Sequence, residues 1–125
     1  MMDGNKLRIL IVEDEKTLSS ALKKALITEG YVVEVASDGQ IAVQKIQNSN
    51  YDLILLDMYL PKVEGLEFLK QKNILKNTTP TIVLSNINEG EEMAMARELG
   101  AERYLIKADT SIDELLKIVK NRLSV

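Results

Sequence analysis

The sequence of 125 residues contains no cysteine, no histidine and no tryptophan. The absence of cysteine excludes disulfides, thiol nucleophiles, iron–sulfur clusters and cysteine-based zinc sites. The absence of histidine excludes a Ser-His-Asp triad, histidine metal ligands and a phosphohistidine on this chain. Any chemistry must therefore come from carboxylates, hydroxyls, amines and the backbone.

Long apolar runs are also missing, since the longest, such as residues 9–12 and 53–56, contain four residues. A membrane-spanning helix needs roughly 20 apolar residues, and the core of a signal peptide needs roughly 7–15. The 16 basic and 19 acidic residues give a net charge of −3, which provides no general attraction to nucleic acid or an anionic membrane. We therefore expect a cytoplasmic protein that binds neither membranes nor nucleic acid directly.

Hydrophobic residues make up 46% of the chain and charged residues 28%, a composition that can bury the core of one compact domain. Short apolar runs alternate with segments of helical periodicity along the whole length. The runs that read as strands are residues 7–12, 31–36, 52–56, 81–84 and 103–106. Repeated units of strand and helix predict an α/β fold, with a parallel sheet and helices on both of its faces.

Apolar residues at helical spacing predict which face of each helix is buried. The inner face of the first helix consists of Leu18, Ala21, Leu22, Ala25 and Leu26. Gly30 is placed to end this helix, while the third and fourth helices start near Val63 and Asn88. The last helix begins with a candidate capping box, Ser111-x-x-Glu114. Its inner face consists of Ile112, Leu115, Leu116, Val119 and Leu123.

Polar residues follow four of the predicted strands. These residues are Glu13 and Asp14 after the first strand, Asp57 after the third, Ser85 after the fourth and Lys107 after the fifth. Each of these residues alone is more often a helix cap or a surface charge. Together they occupy the edge at the carboxyl ends of the strands, which is where ligands bind in an open parallel sheet. If the first and third strands are neighbours, three carboxylates converge there and require a cation, for which Mg²⁺ is suited. Lys107 and Ser85 are then placed to hold a phosphoryl group carried by one carboxylate.

The stretches around these residues resemble the response-regulator receiver domain of two-component signalling, in its single-domain, chemotaxis-regulator form. The matching stretches are residues 9–15, 52–61, 82–85 and 100–107, together with Gly65. The resemblance extends from about Lys6 to Leu123. It implies a doubly wound, flavodoxin-like (βα)5 fold with strand order 2-1-3-4-5. Residues 1–125 are accordingly expected to form a single receiver domain.

The resemblance also implies a metal site and a phosphoacceptor. Asp57 matches the residue that accepts the phosphoryl group in this family. Glu13 and Asp14 match the residues that hold Mg²⁺ together with it, and the backbone carbonyl of Met58 is expected as a further metal ligand. Mg²⁺ is therefore the expected cofactor.

The remaining matches concern the phosphoryl group and the output. Ser85 and Lys107 are expected to contact the phosphoryl oxygens, and Ser85 and Tyr104 to form the conformational switch. The expected donor is a histidine kinase or a histidine phosphotransfer protein. The domain is expected to bind an unidentified downstream protein. It is expected to be a monomer or a weak dimer formed through the fourth helix, fifth strand and fifth helix. Such a domain is not an enzyme beyond catalysing its own phosphorylation and dephosphorylation.

One alternative stays open, which is a receiver fold that binds partners without being phosphorylated. Other phosphate chemistries fit the sequence less well. A flavin-binding fold would place a phosphate against Glu13 and its acidic neighbours, which would repel it. A haloacid-dehalogenase-type phosphatase needs a second aspartate where this chain has Tyr59, and no P-loop motif is present.

The segment after Lys107 departs from the family pattern, because Ala108 stands where the family usually has a proline after a cis peptide bond. A cis bond costs about 2.5–4 kcal/mol before a residue other than proline. We therefore expect a trans Lys107–Ala108 bond, with the residues before Ser111 absorbing the change in path.

Overall fold

A computed structural model describes residues 6–58, 64–86 and 90–124 of the chain. Its strands are β1 (Arg8–Val12), β2 (Val32–Ala36), β3 (Leu53–Asp57), β4 (Thr81–Ser85) and β5 (Arg103–Ile106). They form one parallel sheet in the order β2-β1-β3-β4-β5. The predicted fold class and strand order are confirmed.

Helices connect the strands on both faces of the sheet. They are α1 (Lys16–Thr28), α2 (Gly39–Asn48), α3 (Glu64–Ile74), α4 (Gly90–Glu98) and α5 (Ile112–Leu123). The predicted starts of the third and fourth helices, Val63 and Asn88, lie outside the described residues, as do the last residues of the matching stretch 52–61. No helix in the described ranges has the length and apolar composition that a bilayer crossing requires.

Side chains that alternate along the strands form two cores, one on each face of the sheet. Leu10, Leu56 and Val83 pack with residues of α2, α3 and α4. Their neighbours Ile9 and Leu55 point the opposite way and pack with α1 and α5. β3 and β4 are buried along their whole length, as central strands covered on both faces must be. This arrangement confirms the predicted double winding of helices around the sheet.

Two local signals at helix ends are confirmed. Gly30 follows α1 with φ +101°, a left-handed conformation that residues with a Cβ rarely adopt. At the start of α5, the Ser111 hydroxyl accepts a hydrogen bond from the Glu114 amide at 3.1 Å. The Glu114 carboxylate accepts one from the Ser111 amide at 3.0 Å, which completes the capping box.

Two residues predicted on inner helix faces are instead exposed. Ala21 is exposed because the buried stripe of α1 runs through Ser19, Leu22 and Leu26, and Ala21 lies well outside that stripe on the helix. Ile112 is 38% exposed, because it is the first residue of α5 and precedes the turn that packs on the sheet.

Strands β3 and β4 each extend one residue further than predicted. β3 includes Asp57 and β4 includes Ser85 as their last residues. The ladder continues because the Met58 amide donates a hydrogen bond to the Leu84 carbonyl at 3.1 Å. After β5, the Lys107–Ala108 bond is trans, as expected, and residues Lys107–Asp109 form a short 3-10 turn.

A polar network lies on the edge strand β2. The Glu34 carboxylate pairs with Arg8 and with Lys45, and it accepts a hydrogen bond from the Tyr51 hydroxyl at 3.0 Å. The Arg8 guanidinium lies over the Tyr51 ring, 5.3 Å from its centroid. Burial opposes the charge on Glu34, but the Tyr51 hydrogen bond and the two cations outweigh it and lower the pKa of this carboxyl. Glu34 is therefore held as a carboxylate in the middle of the strand.

A buried lysine in α3 leads to a pH prediction. Lys72 is 6% exposed, and its ammonium donates a hydrogen bond to the Asn77 carbonyl at 2.9 Å. Burial lowers the pKa of Lys72 below its ordinary value. In the alkaline window below the unfolded pKa of about 10.4, the unfolded chain binds more protons, so the free energy of unfolding gains a contribution that rises with pH.

Lys72→Met removes this contribution. The free energy of unfolding of the wild type, relative to that of Lys72→Met, is therefore expected to increase as the pH rises towards the unfolded pKa of about 10.4, measured by urea denaturation. Lys117→Met, at an exposed position of α5, serves as the matched control. A difference between wild type and Lys72→Met that stays constant with pH would contradict the prediction.

Candidate functional site

Three carboxylates meet at the carboxyl ends of the neighbouring strands β1 and β3. Glu13 directly follows β1, where its amide donates a hydrogen bond to the Ala36 carbonyl at 3.0 Å, and Asp14 comes next. Asp57 ends β3, whose Leu56 pairs with the last residue of β1. One oxygen from each of the three carboxylates lies within 4.8 Å of the others. The structure thus brings together the acidic residues that the sequence predicted to converge.

Lys107 joins this acidic cluster from the end of β5. Its ammonium lies 3.0 Å from Asp57 Oδ2 and 3.1 Å from Glu13 Oε1. The other oxygen of Glu13 accepts a hydrogen bond from the Glu15 amide at 3.1 Å. Glu13 and Asp57 are each 3% exposed, whereas Asp14 is exposed. The site therefore contains two buried carboxylates that share the Lys107 ammonium. The third carboxylate, that of Asp14, is exposed to solvent.

Burial and the contacts between charged groups shift the pKa values of Glu13 and Lys107. Burial, with a further contribution from the side-chain hydrogen bond with Asp57, raises the pKa of Glu13 to about 7. The Glu15 amide and Lys107 act in the opposite direction but do not cancel this increase. Burial alone would lower the pKa of Lys107, yet its hydrogen bonds and charge interactions with Asp57 and Glu13 outweigh burial and raise it. Three carboxylates lie around one ammonium, so acidic groups are in excess at the site.

A hard divalent cation fits this arrangement. The three clustered groups, Glu13, Asp14 and Asp57, all offer carboxylate oxygens, which are the ligands that Mg²⁺ and Ca²⁺ prefer. Mg²⁺ is usually bound by one or two carboxylates while it keeps several waters, and the exposed Asp14 leaves room for such waters. The cluster also carries the excess negative charge that a divalent cation would neutralise.

The other predicted site residues lie on the strands next to this cluster. Ser85 ends β4, is fully buried and pairs in register with Ile106. Tyr104, in β5, is 8% exposed and belongs to the core between the sheet and helices α2–α4. Met58 is 2% exposed directly after Asp57. Its carbonyl as a metal ligand stays a prediction, because residues 59–63 after it lie outside the described structure.

Sequence reasoning missed one interaction at the site. It assigned Glu13 to the metal and Lys107 to the phosphoryl group, but the two side chains form an ion pair at 3.1 Å. The positions of the two residues did not predict it, because β3 and β4 lie between β1 and β5, so the contact depends on how the long lysine side chain extends across the sheet edge. The ammonium of Lys107 is therefore shared between Asp57 and Glu13.

Comparison with known proteins agrees with this description. The family model described as "Response regulator receiver domain" matches residues 9–120. The transcriptional regulatory protein TrcR of Mycobacterium tuberculosis is 36% identical over 121 residues, which cover 97% of this chain and 47% of TrcR. The chain spans about half the length of the first curated relatives that it matches.

Solved receiver domains share the fold. A CheY-like response regulator receiver domain protein from Methanospirillum hungatei has a TM-score of 0.88 and 31% identity, covering 95% of this chain and 94% of that one. The response regulator TrrA from Thermotoga maritima has a TM-score of 0.80 and 32% identity, covering 94% of this chain and 99% of TrrA. Because the family model spans nearly the whole chain and the fold is that of solved receiver domains, the chain belongs to the receiver-domain family of two-component response regulators.

Proposed function

We propose that Asp57 accepts a phosphoryl group from a phosphohistidine on a separate kinase or phosphotransfer protein, in a reaction that depends on Mg²⁺. The observation that carries the proposal is the placement of Asp57. Its carboxylate lies in the acidic cluster with Glu13 and Asp14 and is paired with Lys107 at 3.0 Å. A nucleophilic carboxylate beside a fixed cation and a divalent-metal site has the charge stabilisation that phosphoryl transfer requires.

In the proposed reaction, an oxygen of Asp57 attacks the phosphorus atom of the donor. The new O–P bond gives an acyl phosphate, the N–P bond of the phosphohistidine breaks, and the released imidazole nitrogen takes up a proton. Mg²⁺, when bound by Glu13, Asp14 and Asp57, would neutralise charge on the transferring oxygens. TrrA, which has the same fold, was solved in complex with Mg²⁺-BeF, and this supports Mg²⁺ as the cation that this chain binds.

Lys107 and Ser85 complete the proposed site around the phosphoryl group. The ammonium of Lys107 shifts from the Asp57 carboxylate to an oxygen of the bound phosphoryl group, which remains within its reach. The Ser85 hydroxyl, at the end of the adjacent strand, donates a hydrogen bond to another of these oxygens. Beyond its own phosphorylation and dephosphorylation, the domain, which we take as residues 1–125, catalyses no reaction.

Intact-mass spectrometry tests this proposal directly. Incubation with acetyl phosphate and Mg²⁺ is expected to add a single phosphoryl group to the protein, and addition of a chelator is expected to prevent it. The result separates the proposal from the alternative of a receiver fold that only binds partners. If no phosphoryl group is added at saturating donor and Mg²⁺, the result contradicts the proposal and favours the partner-binding alternative.

The proposed output is a change in the surface formed by α4, β5 and α5, which would bind a downstream protein or a second copy in a weak dimer. Tyr104 and Ala96 lie in the same core, so a movement of Ser85 and Tyr104 would alter the packing of α4. Ala96 is the buried residue of α4 in the described structure, which means that few contacts hold this helix. The relatives named as transcriptional regulatory proteins are about twice as long as this chain, and we assign no nucleic-acid contact to the receiver domain itself.

Phosphorylation is therefore expected to change backbone amide exchange in α4 and at Tyr104. The physical reason is that phosphate binding shifts the population of two packing states of this surface. Hydrogen–deuterium exchange with mass spectrometry, on protein with and without the phosphoryl group, measures the change. Differences confined to the segments that contact Asp57 would show that the site is not coupled to the surface.

A further inference from the structure

Gly65, the second residue of α3, lies against the residue that follows the proposed phosphoacceptor. A Cβ added to Gly65 would lie 2.6 Å from the Met58 sulfur and 3.0 Å from Met58 Cα. The first distance is an overlap, and the second is tighter than ordinary van der Waals contact. The comparable glycine at the start of α4, Gly90, has nothing within 4 Å of such a Cβ.

Backbone conformation does not explain the glycine. Among the described glycines, positive φ angles occur at Gly30 and Gly100 and not at Gly65. Alanine also favours helix more than glycine does, so at a helical position with free space alanine would be the better residue. The requirement at Gly65 is therefore for space beside Met58.

Met58 is held on its other side by the sheet. Its amide donates a hydrogen bond to the Leu84 carbonyl of β4 at 3.1 Å, and the residue is 2% exposed. The backbone of Met58 is thus fixed between β4 and the first turn of α3. Any displacement of Met58 is transmitted through one peptide bond to Asp57, whose carboxylate is 3.0 Å from Lys107.

We infer that Gly65 is a positioning residue for phosphoryl transfer, because its missing side chain lets α3 close onto Met58 and hold the Asp57 carboxylate in place beside Lys107 and the acidic cluster. This inference rests on the proposed function of Asp57. It assigns to the start of α3 a role in the geometry of the site, although Gly65 contacts none of the reacting groups.

The experiment compares Gly65→Ala with Gly90→Ala. Each variant adds the same methyl group at the start of a helix, but only the first meets Met58. Phosphorylation by acetyl phosphate is followed by intact mass at several Mg²⁺ concentrations, and stability is measured by urea unfolding. Gly65→Ala is expected to slow phosphorylation by about 10- to 100-fold, since a displacement of about 1 Å at a reacting group has an effect of this size. Gly90→Ala is expected to retain the wild-type rate.

A double variant separates positioning from stability. Met58→Ala removes the sulfur that Gly65→Ala would overlap, but the backbone of residue 58 still lies 3.0 Å from the added methyl group. The added methyl group of Gly65→Ala is therefore expected to cost less stability to urea in the Met58→Ala background than in the wild type, while phosphorylation of Met58→Ala/Gly65→Ala stays about tenfold or more slower than that of Met58→Ala. A rate that recovers together with stability would overturn the inference, as would a wild-type rate in Gly65→Ala.

Failure of the proposed function gives a different result. In that case the wild type and Gly90→Ala both take up no phosphoryl group. Hydrogen exchange of the Met58 amide then tests whether Gly65 holds Met58 in place. Compared with the wild type, this exchange should be faster in Gly65→Ala and unchanged in Gly90→Ala. Equal exchange in all three proteins would overturn the positioning role as well.

Discussion

Asp57→Ala is expected to abolish the Mg²⁺-dependent addition of a phosphoryl group. Asp57 is the carboxylate of the cluster that ends a central strand and contacts Lys107, so its removal eliminates the nucleophile. Intact mass after incubation with acetyl phosphate and Mg²⁺ measures the loss. We expect no added mass in this variant under conditions that fully convert the wild type.

Two comparisons make the Asp57 result specific. Asp113→Ala removes an exposed carboxylate from the first turn of α5 and should be phosphorylated like the wild type. Glu13→Gln removes one proposed metal ligand but keeps the nucleophile, so it should be phosphorylated slowly and still at Asp57. Undiminished labelling of Asp57→Ala would assign the phosphoryl group to another residue and refute the proposed acceptor.

Lys107→Ala is expected to slow phosphorylation by about 10²- to 10³-fold, the effect of removing one donor that stabilises developing charge. The same change leaves Glu13 and Asp57 buried without their shared cation. Loss of one partner from a buried ion pair destabilises a protein by about 3–5 kcal/mol. We expect a loss near the lower end of this range, because the lysine side chain is 16% exposed.

Mg²⁺ affinity distinguishes the role of Lys107 from that of a metal ligand. An ammonium group cannot bind a cation, so the affinity of Lys107→Ala for Mg²⁺ should equal or exceed that of the wild type, as measured by calorimetry. Lys120→Ala is the matched control, since it breaks a surface ion pair with Glu29 and should change stability by about 1 kcal/mol or less. A collapse of Mg²⁺ affinity with an unchanged phosphorylation rate would show that the assigned role is wrong.

The fold was predictable because its signals are local and agree with one another. The short apolar runs predicted every strand to within one residue at each end, since the interior of a strand buried on both faces is apolar. Gly30 and Ser111 marked helix ends through backbone conformation and capping, which depend on neighbouring residues alone. The strand order came from the family resemblance, because periodicity does not specify which strands are neighbours.

The site was predictable at the level of which residues converge and less so in how they pair. Strand ends in a parallel sheet share one edge, so Glu13, Asp14 and Asp57 could be grouped from their positions. The ion pair of Lys107 with Glu13 depends on side-chain conformation across 94 residues of sequence, which no local pattern encodes. The extension of β3 as far as Asp57 likewise depends on a hydrogen bond from the Met58 amide to Leu84 in β4.

The ion pairs and hydrogen bond of Glu34 lie on a border strand and affect how readily the molecule self-associates at high concentration. β2 is one border of the sheet, and a border strand has backbone N–H and C=O groups free to pair with a strand from another molecule. Charged residues within such a strand, and short length, oppose that association in natural sheets. Glu34 provides the charge on β2, and β5 at the other border has four residues and begins with the exposed Arg103. Neutralising Glu34 would thus remove a barrier to self-association at a point remote from the chemistry of Asp57.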